Sequence, residues 1–375
     1  MNRTQIQKIV LAFLAVSIPL TVWMWAVRQV IPVSPPVSSD DLYKGVARET
    51  NPWLEPWQRW DTPHYQAIAE RGYSAFDTAL FTPPLYPLLM RSASIFFDGN
   101  MLASGRFVAS LAFLGYLIAF FFLARLELPA EQDAWRALTY LILFPTAFFL
   151  VAAYSESLYL MFVTLSLLSA QKNKWMSAGL FGALAAFTRI PGMLMIVPLG
   201  WAAMEAWKRG DRRAWLAPLL GGAGALLFPL YVWLGLGLPP TAILDALNTR
   251  GGQLALPGWN LIEAASRILH GQLVGENIFE LTFALLFTAL TIAIWKKLPR
   301  IFGVYAVTMM LFFLARLGSP QPLSGMARYV LEITPAFLIL ALGGRNPWAH
   351  RLITYTSIFG LLFFSAQFAI WGWVG

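Results

Sequence analysis

The chain has 375 residues, of which 58% are hydrophobic and 12% charged, whereas about 25% of residues are charged in a soluble domain. Its net charge of +8 could suit nucleic acid, but the basic residues lie mostly between hydrophobic runs, where they indicate membrane topology. The absence of cysteine excludes disulfides, thiolate metal sites and cysteine nucleophiles. This composition predicts an all-α, polytopic transmembrane bundle.

Hydrophobic runs near twenty residues predict eleven membrane-spanning helices. The first run, 9–31, is longer than the core of a secretory signal and lacks a small-residue cleavage site, so we expect a retained helix. We interpret residues 1–375 as one integral membrane domain. The other spans are expected at 103–124, 136–153, 155–170, 175–188, 191–206, 215–237, 278–295, 301–317, 329–344 and 352–372.

The distribution of Lys and Arg predicts the orientation. With the N-terminus in the cytoplasm, more than half of the basic residues, including every dense cluster, fall on the cytoplasmic side. Two long loops, 32–102 and 238–277, then face the periplasm, the cell exterior or the ER lumen. The second loop is rich in Gly and Pro and carries an amphipathic patch at 259–269.

The first outer loop contains a polar and aromatic stretch, residues 57–73, unlike the apolar sequence around it. Within it, Asp61 precedes a Thr-Pro pair, a pattern typical of a helix start with Asp as the N-cap and Pro in the first turn. We therefore expect a short helix over about 62–71, near the membrane surface, with Gly72 as its C-cap.

Two flanking segments should not form spanning helices. Residues 32–42 are rich in Pro, Ser and Asp, which predicts an extended or loop conformation. Residues 81–97 are apolar but interrupted by three prolines, so a re-entrant or interfacial helix is expected. Irregular backbone at membrane depth must be buried in protein or line a cavity.

Polar clusters from distant parts of the chain lie at the outer ends of the predicted spans. Ionisable residues at membrane depth are costly and usually face a polar cavity, so their convergence on one side predicts a functional site. The clusters are Asp61 with His64, Tyr154-Ser155-Glu156, Arg189 within 188–192, and Arg316 with Arg328 and Tyr329.

Each of these residues also has a structural interpretation. Asp61 could only cap its helix, His64 could merely pair with Asp61, and Glu156 could cap the helix that it begins. Arg189 and Arg328 could either reach toward lipid head groups or bind an anionic substrate.

Two tryptophans near Asp61 have alternative roles, and the motifs of common soluble enzymes are missing from the sequence. Trp57 and Trp60 could belong to an interfacial aromatic belt or stack on a sugar ring. Walker, dinucleotide-binding, zinc-spacing and GxSxG motifs are absent from the sequence. With three His and no Cys, a catalytic metal is not expected, although magnesium or manganese held by carboxylates stays open.

Three blocks of the first outer loop resemble the signature of the GPI mannosyltransferase II (PIG-V) family. They read WDTPHY at 60–65, IAERGY at 68–73 and PLYPLL at 84–89. Later motifs are similar to those of the family in the same order. These are YSESL at 154–158, Thr188-Arg189 with Gly192, and Arg328-Tyr329 through Pro335.

The resemblance implies a glycosyltransferase of the GT-C class, with a polytopic helical fold and juxtamembrane helices in the first outer loop. It also implies an acidic catalytic base in that loop, which Asp61 matches, and a sugar donor on polyprenyl or dolichyl phosphate. Thr82-Pro83 departs from the aromatic residues expected before PLYPLL. The second outer loop is short in comparison with the family, and the cytoplasmic loops are minimal, which suggests a compact prokaryotic member for which a GPI acceptor is not expected.

The resemblance and the placement together imply transfer of a hexose, most simply mannose, to an acceptor hydroxyl at the outer membrane face, with inversion. The acceptor would be lipid-linked, a glycan or a protein, and nucleic acid is not an expected partner. The site would face outward from a prokaryotic cytoplasmic membrane, or into the ER lumen in a eukaryote. Besides Asp61 as base, the expected substrate-binding residues are His64, Trp60, Tyr65, Tyr86, Tyr154, Glu156, Arg189, Arg328 and Tyr329.

Two other functions fit the same composition. A transporter or lipid flippase predicts polar residues at mid-membrane depth and internal pseudo-symmetry, and the sequence shows no repeat. A non-catalytic assembly partner with the same fold predicts that replacing Asp61 would leave function intact.

Overall fold

A computed structural model describes residues 3–33, 39–272, 274–319 and 321–374. The chain is 76% helical, and a single two-stranded pair accounts for the strands of this described part. The α-helices are α1 (Arg3–Val30), α2 (Ser39–Tyr43), α3 (Asp61–Arg71), α4 (Leu85–Ala93), α5 (Met101–Glu127), α6 (Glu131–Ile142), α7 (Glu156–Gln171), α8 (Trp175–Thr188), α9 (Ile196–Lys208), α10 (Leu216–Leu230), α11 (Ala242–Gly251), α12 (Trp259–Leu269), α13 (Val274–Lys297), α14 (Arg300–Leu314), α15 (Met326–Tyr329), α16 (Ala336–Gly343) and α17 (Pro347–Ala369). Strands β1 (Gln253–Leu254) and β2 (Arg316–Leu317) are antiparallel.

Within the described residues, six helices are long and apolar enough to cross a membrane, or seven if a helix pair bent by 89° counts as one span. The eleven predicted spans are therefore not confirmed as such. Helices α8 and α14, with 14 and 15 residues, are apolar but short. At 1.5 Å per residue they rise only about 21 to 23 Å, less than the hydrocarbon thickness of about 30 Å. The predicted span 136–153 is divided between α6 and a 3₁₀ turn at Ala147–Leu150.

The chain divides into two compact units. The first comprises residues 1–79, 84–164 and 340–374. Its central helix is α5, which packs against α1, α3, α4 and α6. Phe113, Tyr116 and Phe120 on α5 are fully buried. Helix α17 contacts α1 and α6 and completes this unit.

The second unit comprises residues 80–83 and 165–339. Helices α8 and α10 pack closely, because a Cβ atom added at Gly179 would lie 2.8 Å from the Ala217 carbonyl oxygen. Small residues permit such close approach of membrane helices. Helix α13 packs against α12, α14 and α15. The β1–β2 pair, with Gln253 opposite Leu317, fixes the loop between α10 and α13 to the segment after α14.

The first outer loop differs in detail from expectation. Helix α3 begins at Asp61, and Trp60 takes the N-cap position with φ 52°, so the prediction of Asp61 as the N-cap is wrong by one residue. Gly72 is the C-cap, as predicted, with φ 72°. Of the segment expected to be loop, residues 34–38 lie outside the described residues, and Ser39–Tyr43 forms a helix instead.

Two other segments agree with their predicted character. The proline-interrupted stretch 81–97 holds α4, whose nine residues rise only about 13 Å and do not span a bilayer. The amphipathic patch at 259–269 corresponds to α12 with the same bounds. Its exposed side carries Trp259, Ile262 and Leu269.

Candidate functional site

Asp61 is partly exposed at the first residue of α3, and the backbone beneath it is fixed by a distant side chain. The Asp61 amide donates a hydrogen bond to the Tyr154 hydroxyl at 3.0 Å, and that hydroxyl donates to the Arg59 carbonyl at 3.3 Å. A carboxylate in the first helical turn is favoured by the positive end of the helix dipole. The Tyr154 hydrogen bond therefore fixes the backbone from which the partly exposed Asp61 side chain extends.

Three predicted tyrosines form a buried cluster next to this helix. The Tyr65 ring lies edge-on to Tyr86 and Tyr154, with centroid distances of 5.1 and 5.9 Å. The Tyr65 hydroxyl is 2.9 Å from Ser155 Oγ, and the Tyr86 hydroxyl donates to the Gly105 carbonyl at 3.0 Å. All three tyrosines are buried. Their observed contacts pack α3 and α4 against neighbouring elements, and direct contact with substrate stays a prediction.

His64 and Trp60 are half-buried and lie on the solvated side of α3. His64 Nδ1 is 2.9 Å from the Trp60 carbonyl oxygen, and its ring packs edge-on against Phe76. Trp60 Nε1 donates to the Gly372 carbonyl at 3.1 Å, and its ring lies edge-on to Trp373. The C-terminal segment thus fixes Trp60 while part of its ring stays exposed.

Trp57 does not fit its predicted alternatives. Its side chain is fully buried, so neither stacking on a sugar ring nor an interfacial belt position agrees with the structure. The indole instead lies against the guanidinium of Arg106, whose Cζ is 4.2 Å from the ring centroid. The packing of the indole against Arg106 therefore replaces both predicted positions of this tryptophan.

A charged network behind Trp60 was not predicted. Glu55 pairs with Arg28 at 3.0 Å and with the fully buried Arg59 at 2.5 Å. Arg59 Nε also donates to the Ala369 carbonyl at 2.9 Å. Burial lowers the pKa of the Arg59 guanidinium, and the Glu55 carboxylate opposes that shift. The i, i+4 spacing of Glu55 and Arg59 was the sequence signal available for this pair.

Glu156 is fully buried at the first residue of α7. A carboxylate there is stabilised by the helix dipole, as the structural interpretation expects. The neighbouring Ser157 hydroxyl donates to the Leu150 carbonyl at 2.5 Å, which joins this turn to the preceding 3₁₀ segment. Both interpretations of Glu156 are compatible with this position.

In the second unit, Arg189 forms an ion pair with Glu332, with Nε 3.0 Å from Oε1. Arg189 follows the end of α8 in an extended conformation. Glu332 is the last residue before the break of the bent pair formed by Met326–Glu332 and Ala336–Gly343. Glu332 was missed because it falls inside a predicted span, although an acidic residue within an apolar run was itself a signal.

Arg328 and Tyr329 lie on the short helix α15 of the same unit. Arg328 is nearly fully buried. Tyr329 stacks on Phe313 at a centroid distance of 5.5 Å, and the Arg316 guanidinium lies 4.7 Å from the Tyr329 ring. The Ala327 amide donates to Glu280 Oε2 at 2.6 Å. Glu280, which was not predicted as a site residue, therefore anchors the turn that carries these two residues.

The predicted site residues thus fall into two groups. Asp61, His64, Trp60, Tyr65, Tyr86, Tyr154 and Glu156 belong to the first unit, and Arg189, Arg328 and Tyr329 belong to the second. Among the described ranges, no group of three or more His, Asp or Glu side chains could hold a metal ion.

Comparisons with known proteins were made for both sequence and structure. A family model described as mannosyltransferase (PIG-V) matches residues 8–207, more than half of the chain. No curated protein matches the sequence. The crystal structure of ArnT from Cupriavidus metallidurans bound to undecaprenyl phosphate aligns with a TM-score of 0.55 and 13% identity.

The aligned region covers 92% of this chain and 62% of the ArnT chain, so this protein spans less than two thirds of that structure. At this identity the likeness concerns the fold alone. The predicted polytopic helical fold of the GT-C type is confirmed, and the apolar helices identify an integral, multi-pass membrane protein.

Proposed function

The chain belongs to the mannosyltransferase (PIG-V) family, as its first-loop motifs indicated, and from this membership we propose that it is a membrane glycosyltransferase. It transfers a hexose, most simply mannose, from a polyprenyl-phosphate donor to an acceptor hydroxyl on the outer side of the membrane. The observation that carries this proposal is the family match over residues 8–207, which include Asp61, Glu156 and Arg189.

Asp61 acts as the general base in this proposal. It accepts the proton of the acceptor hydroxyl while the hydroxyl oxygen bonds to the anomeric carbon, and the bond from that carbon to the phosphate oxygen breaks. The electron pair leaves with the polyprenyl phosphate, and a single displacement inverts the anomeric centre. General base catalysis contributes about 10²- to 10⁴-fold. Partial exposure and the Tyr154 hydrogen bond beneath the helix start support this role.

Arg189 and Arg328 bind the donor phosphate, whose negative charge increases as the sugar leaves. A guanidinium suits this task because its planar donors match phosphate oxygens in a bidentate way. The aligned ArnT structure is bound to undecaprenyl phosphate, which supports a polyprenyl-linked donor for this fold. Glu332 neutralises Arg189 in this structure, so donor phosphate would compete with that carboxylate.

The proposal is tested with purified protein in lipid nanodiscs, a panel of polyprenyl-phosphate sugars and a cell-envelope extract as acceptor. Mass spectrometry should detect a glycosylated product that depends on both donor and protein. A transporter would move the lipid between leaflets without forming a glycosidic bond. Lipid movement without any transferred sugar, from a correctly folded preparation, would refute the transferase assignment.

A further inference from the structure

Arg106 lies on the membrane-spanning helix α5 and has no role in the reaction proposed above. It is the sixth residue of α5, about 7.5 Å from the start of the helix at Met101. Its Nη2 donates to the Thr21 hydroxyl of α1 at 3.2 Å, and its face covers the Trp57 indole. Among the described residues it forms no ion pair, so its charge is left uncompensated in an apolar region where charge is costly.

Two donors of this cluster lack acceptors. Arg106 Nε and Trp57 Nε1 are both buried, and neither has a hydrogen-bond partner within the described part of the chain. The Thr21 hydroxyl already donates to the Ser17 carbonyl at 2.8 Å, so only its oxygen is available to the arginine. Side chains in direct contact therefore present several N–H groups and a positive charge. A buried donor without an acceptor is destabilising, which points to a missing anionic or polar ligand.

The surroundings indicate where that ligand comes from. Arg106 is itself only half-buried, and its neighbours on the two helices are apolar and exposed. The exposed fractions are 57% for Ile18, 46% for Val22 and 46% for Phe107. Because α1 and α5 both qualify as membrane spans, exposed apolar side chains on them face lipid. A lipid phosphate can approach Arg106 from the bilayer, and a guanidinium binds phosphate oxygens strongly.

We propose that Arg106, Trp57 and Thr21 form a binding site for the phosphate group of a membrane lipid between α1 and α5. The bound phosphate accepts from Arg106 Nε–H and Trp57 Nε1–H and neutralises the guanidinium. Two lipid classes carry the required chemistry, namely an anionic glycerophospholipid and a polyprenyl monophosphate. The site does not depend on the proposed reaction, because binding needs neither sugar nor acceptor.

The test is native mass spectrometry of the full-length, delipidated protein titrated with phosphatidylglycerol or, separately, with undecaprenyl phosphate. We expect a saturable one-lipid adduct, and the lipid that binds more tightly identifies the source. Arg106→Gln should raise the half-saturation concentration about tenfold, the change expected for loss of a charged hydrogen bond. The control is Arg125→Gln, which removes an exposed arginine from the opposite end of α5 and should leave binding unchanged.

A second variant covers the case in which Arg106→Gln does not fold. Trp57→Phe keeps an aromatic ring under the guanidinium but removes the indole N–H, so it should weaken the adduct by a smaller factor. Absence of a saturable adduct with both lipids would overturn the proposal. So would wild-type affinity in the Trp57→Phe protein together with wild-type affinity in any folded Arg106 variant.

Discussion

Arg189 and Glu332 form an ion pair in which the carboxylate side chain is fully buried and the arginine is 11% exposed. Each residue lies where a helix is interrupted, Arg189 after α8 and Glu332 at the break before α16. Broken helices are where membrane proteins place polar sites, because irregular backbone is tolerated only when it is buried in protein or lines a cavity. The pair therefore joins two irregular segments of the second unit.

This pair complicates the test of Arg189 as a phosphate ligand. Arg189→Ala removes the guanidinium and also one charged partner of the buried Glu332, and breaking a buried ion pair typically costs about 3–5 kcal/mol. We expect a marked loss of thermal stability in detergent. The double variant Arg189→Ala/Glu332→Gln should recover most of it, because the remaining side chain is neutral.

The double variant then isolates the functional role. If Arg189 binds the donor, the recovered protein should still show a raised KM for the donor. The matched control is Arg267→Ala, which breaks a partly exposed pair with Glu263 on α12 and should change stability by less than about 1 kcal/mol. Normal donor KM in the stable double variant would remove Arg189 from the phosphate site.

The orientation of the chain can be tested by single cysteines, since the natural sequence contains none. The positive-inside pattern predicts that cysteines at Thr50 and Leu256 react with an impermeant thiol reagent in intact spheroplasts, whereas a cysteine at Lys172 does not. All three positions are exposed. Gly252 is less suitable, because its φ of 87° and a close approach to the Leu317 carbonyl disfavour a side chain.

Reaction at Lys172 with protection of Thr50 and Leu256 would reverse the assigned topology. A permeabilised sample supplies the control, because all three cysteines should then react. The result also bears on the proposed function, which requires that α3 face the compartment opposite the cytoplasm.

The free energy of unfolding is expected to depend on pH through Asp133 on α6. Its carboxylate pairs with Arg345 Nη2 and Arg136 Nη1, each at 2.6 Å. The hydrogen bond from Arg345 lowers the pKa of Asp133 most, the one from Arg136 adds to the effect, and burial opposes it. Since the folded pKa is below the unfolded value of about 3.9, this stabilisation is complete above that pH. It is lost as the pH falls through the folded pKa.

Thermal unfolding in detergent should therefore show a steeper loss of Tm below about pH 4 in the wild type than in Asp133→Asn. The variant should have the lower Tm at neutral pH, because it lacks the charged contacts. Parallel Tm–pH curves for the two proteins would exclude Asp133 as a source of the acid dependence.

Helix ends that are fixed by neighbouring residues could be predicted from the sequence. Helix ends that are fixed by contacts with residues far along the chain could not. The bounds of α12 follow from a strong amphipathic pattern, and Gly72 ends α3 because a positive φ favours glycine. The start of α3 was misplaced because Tyr154, 93 residues away, binds the Asp61 amide, and Trp60 adopts the cap conformation. A contact between residues so far apart in the chain cannot be predicted from the sequence around Asp61.

The same distinction applies to the candidate site. Asp61 was identified because its motif is short and continuous, whereas the partner of Arg189 was not, because Glu332 lies 143 residues further along the chain. The burial of Trp57 was also missed, since an aromatic residue beside a polar motif has the same sequence appearance whether it faces ligand or the core.

The Tyr154 hydroxyl is expected to position Asp61 through its hydrogen bond with the Asp61 amide. Tyr154→Phe leaves the ring in place and removes the acceptor for the Asp61 amide, so the first turn of α3 loses one fixed point. We expect a lower kcat with little change in donor KM, together with a loss of stability of about 1 kcal/mol. Steady-state kinetics and thermal unfolding measure both.

The control is Tyr140→Phe, which removes a similarly buried hydroxyl that lies 2.7 Å from His350 Nδ1. It should lose comparable stability while keeping normal turnover. If both variants lose kcat in proportion to stability, the Tyr154 effect is a general consequence of weaker folding rather than of positioning.

Asp61 itself gives the sharpest test. Because Asp61 occupies the first helical position and not the cap, Asp61→Asn loses a favourable dipole interaction of about 0.3–1 kcal/mol but keeps a side chain of the same shape, so the variant should stay folded. As the catalytic base it loses its proton acceptor, so turnover should fall at least about a hundredfold. Asp61→Glu keeps the charge but displaces it by one methylene, and a shift of about 1 Å can also cost on the order of a hundredfold.

The matched control is Glu70→Gln, which neutralises a half-exposed carboxylate in the last turn of the same helix. We expect it to fold and to turn over donor at a near-normal rate in the assay that shows Asp61→Asn to be inactive. The two variants change the charge of α3 by the same amount, but only Asp61→Asn removes the proposed base. The assignment of Asp61 as the base therefore requires that Asp61→Asn is inactive while Glu70→Gln is active. An Asp61→Asn protein with near-normal turnover would end the assignment, and the base would then be sought at Glu156 or Glu70.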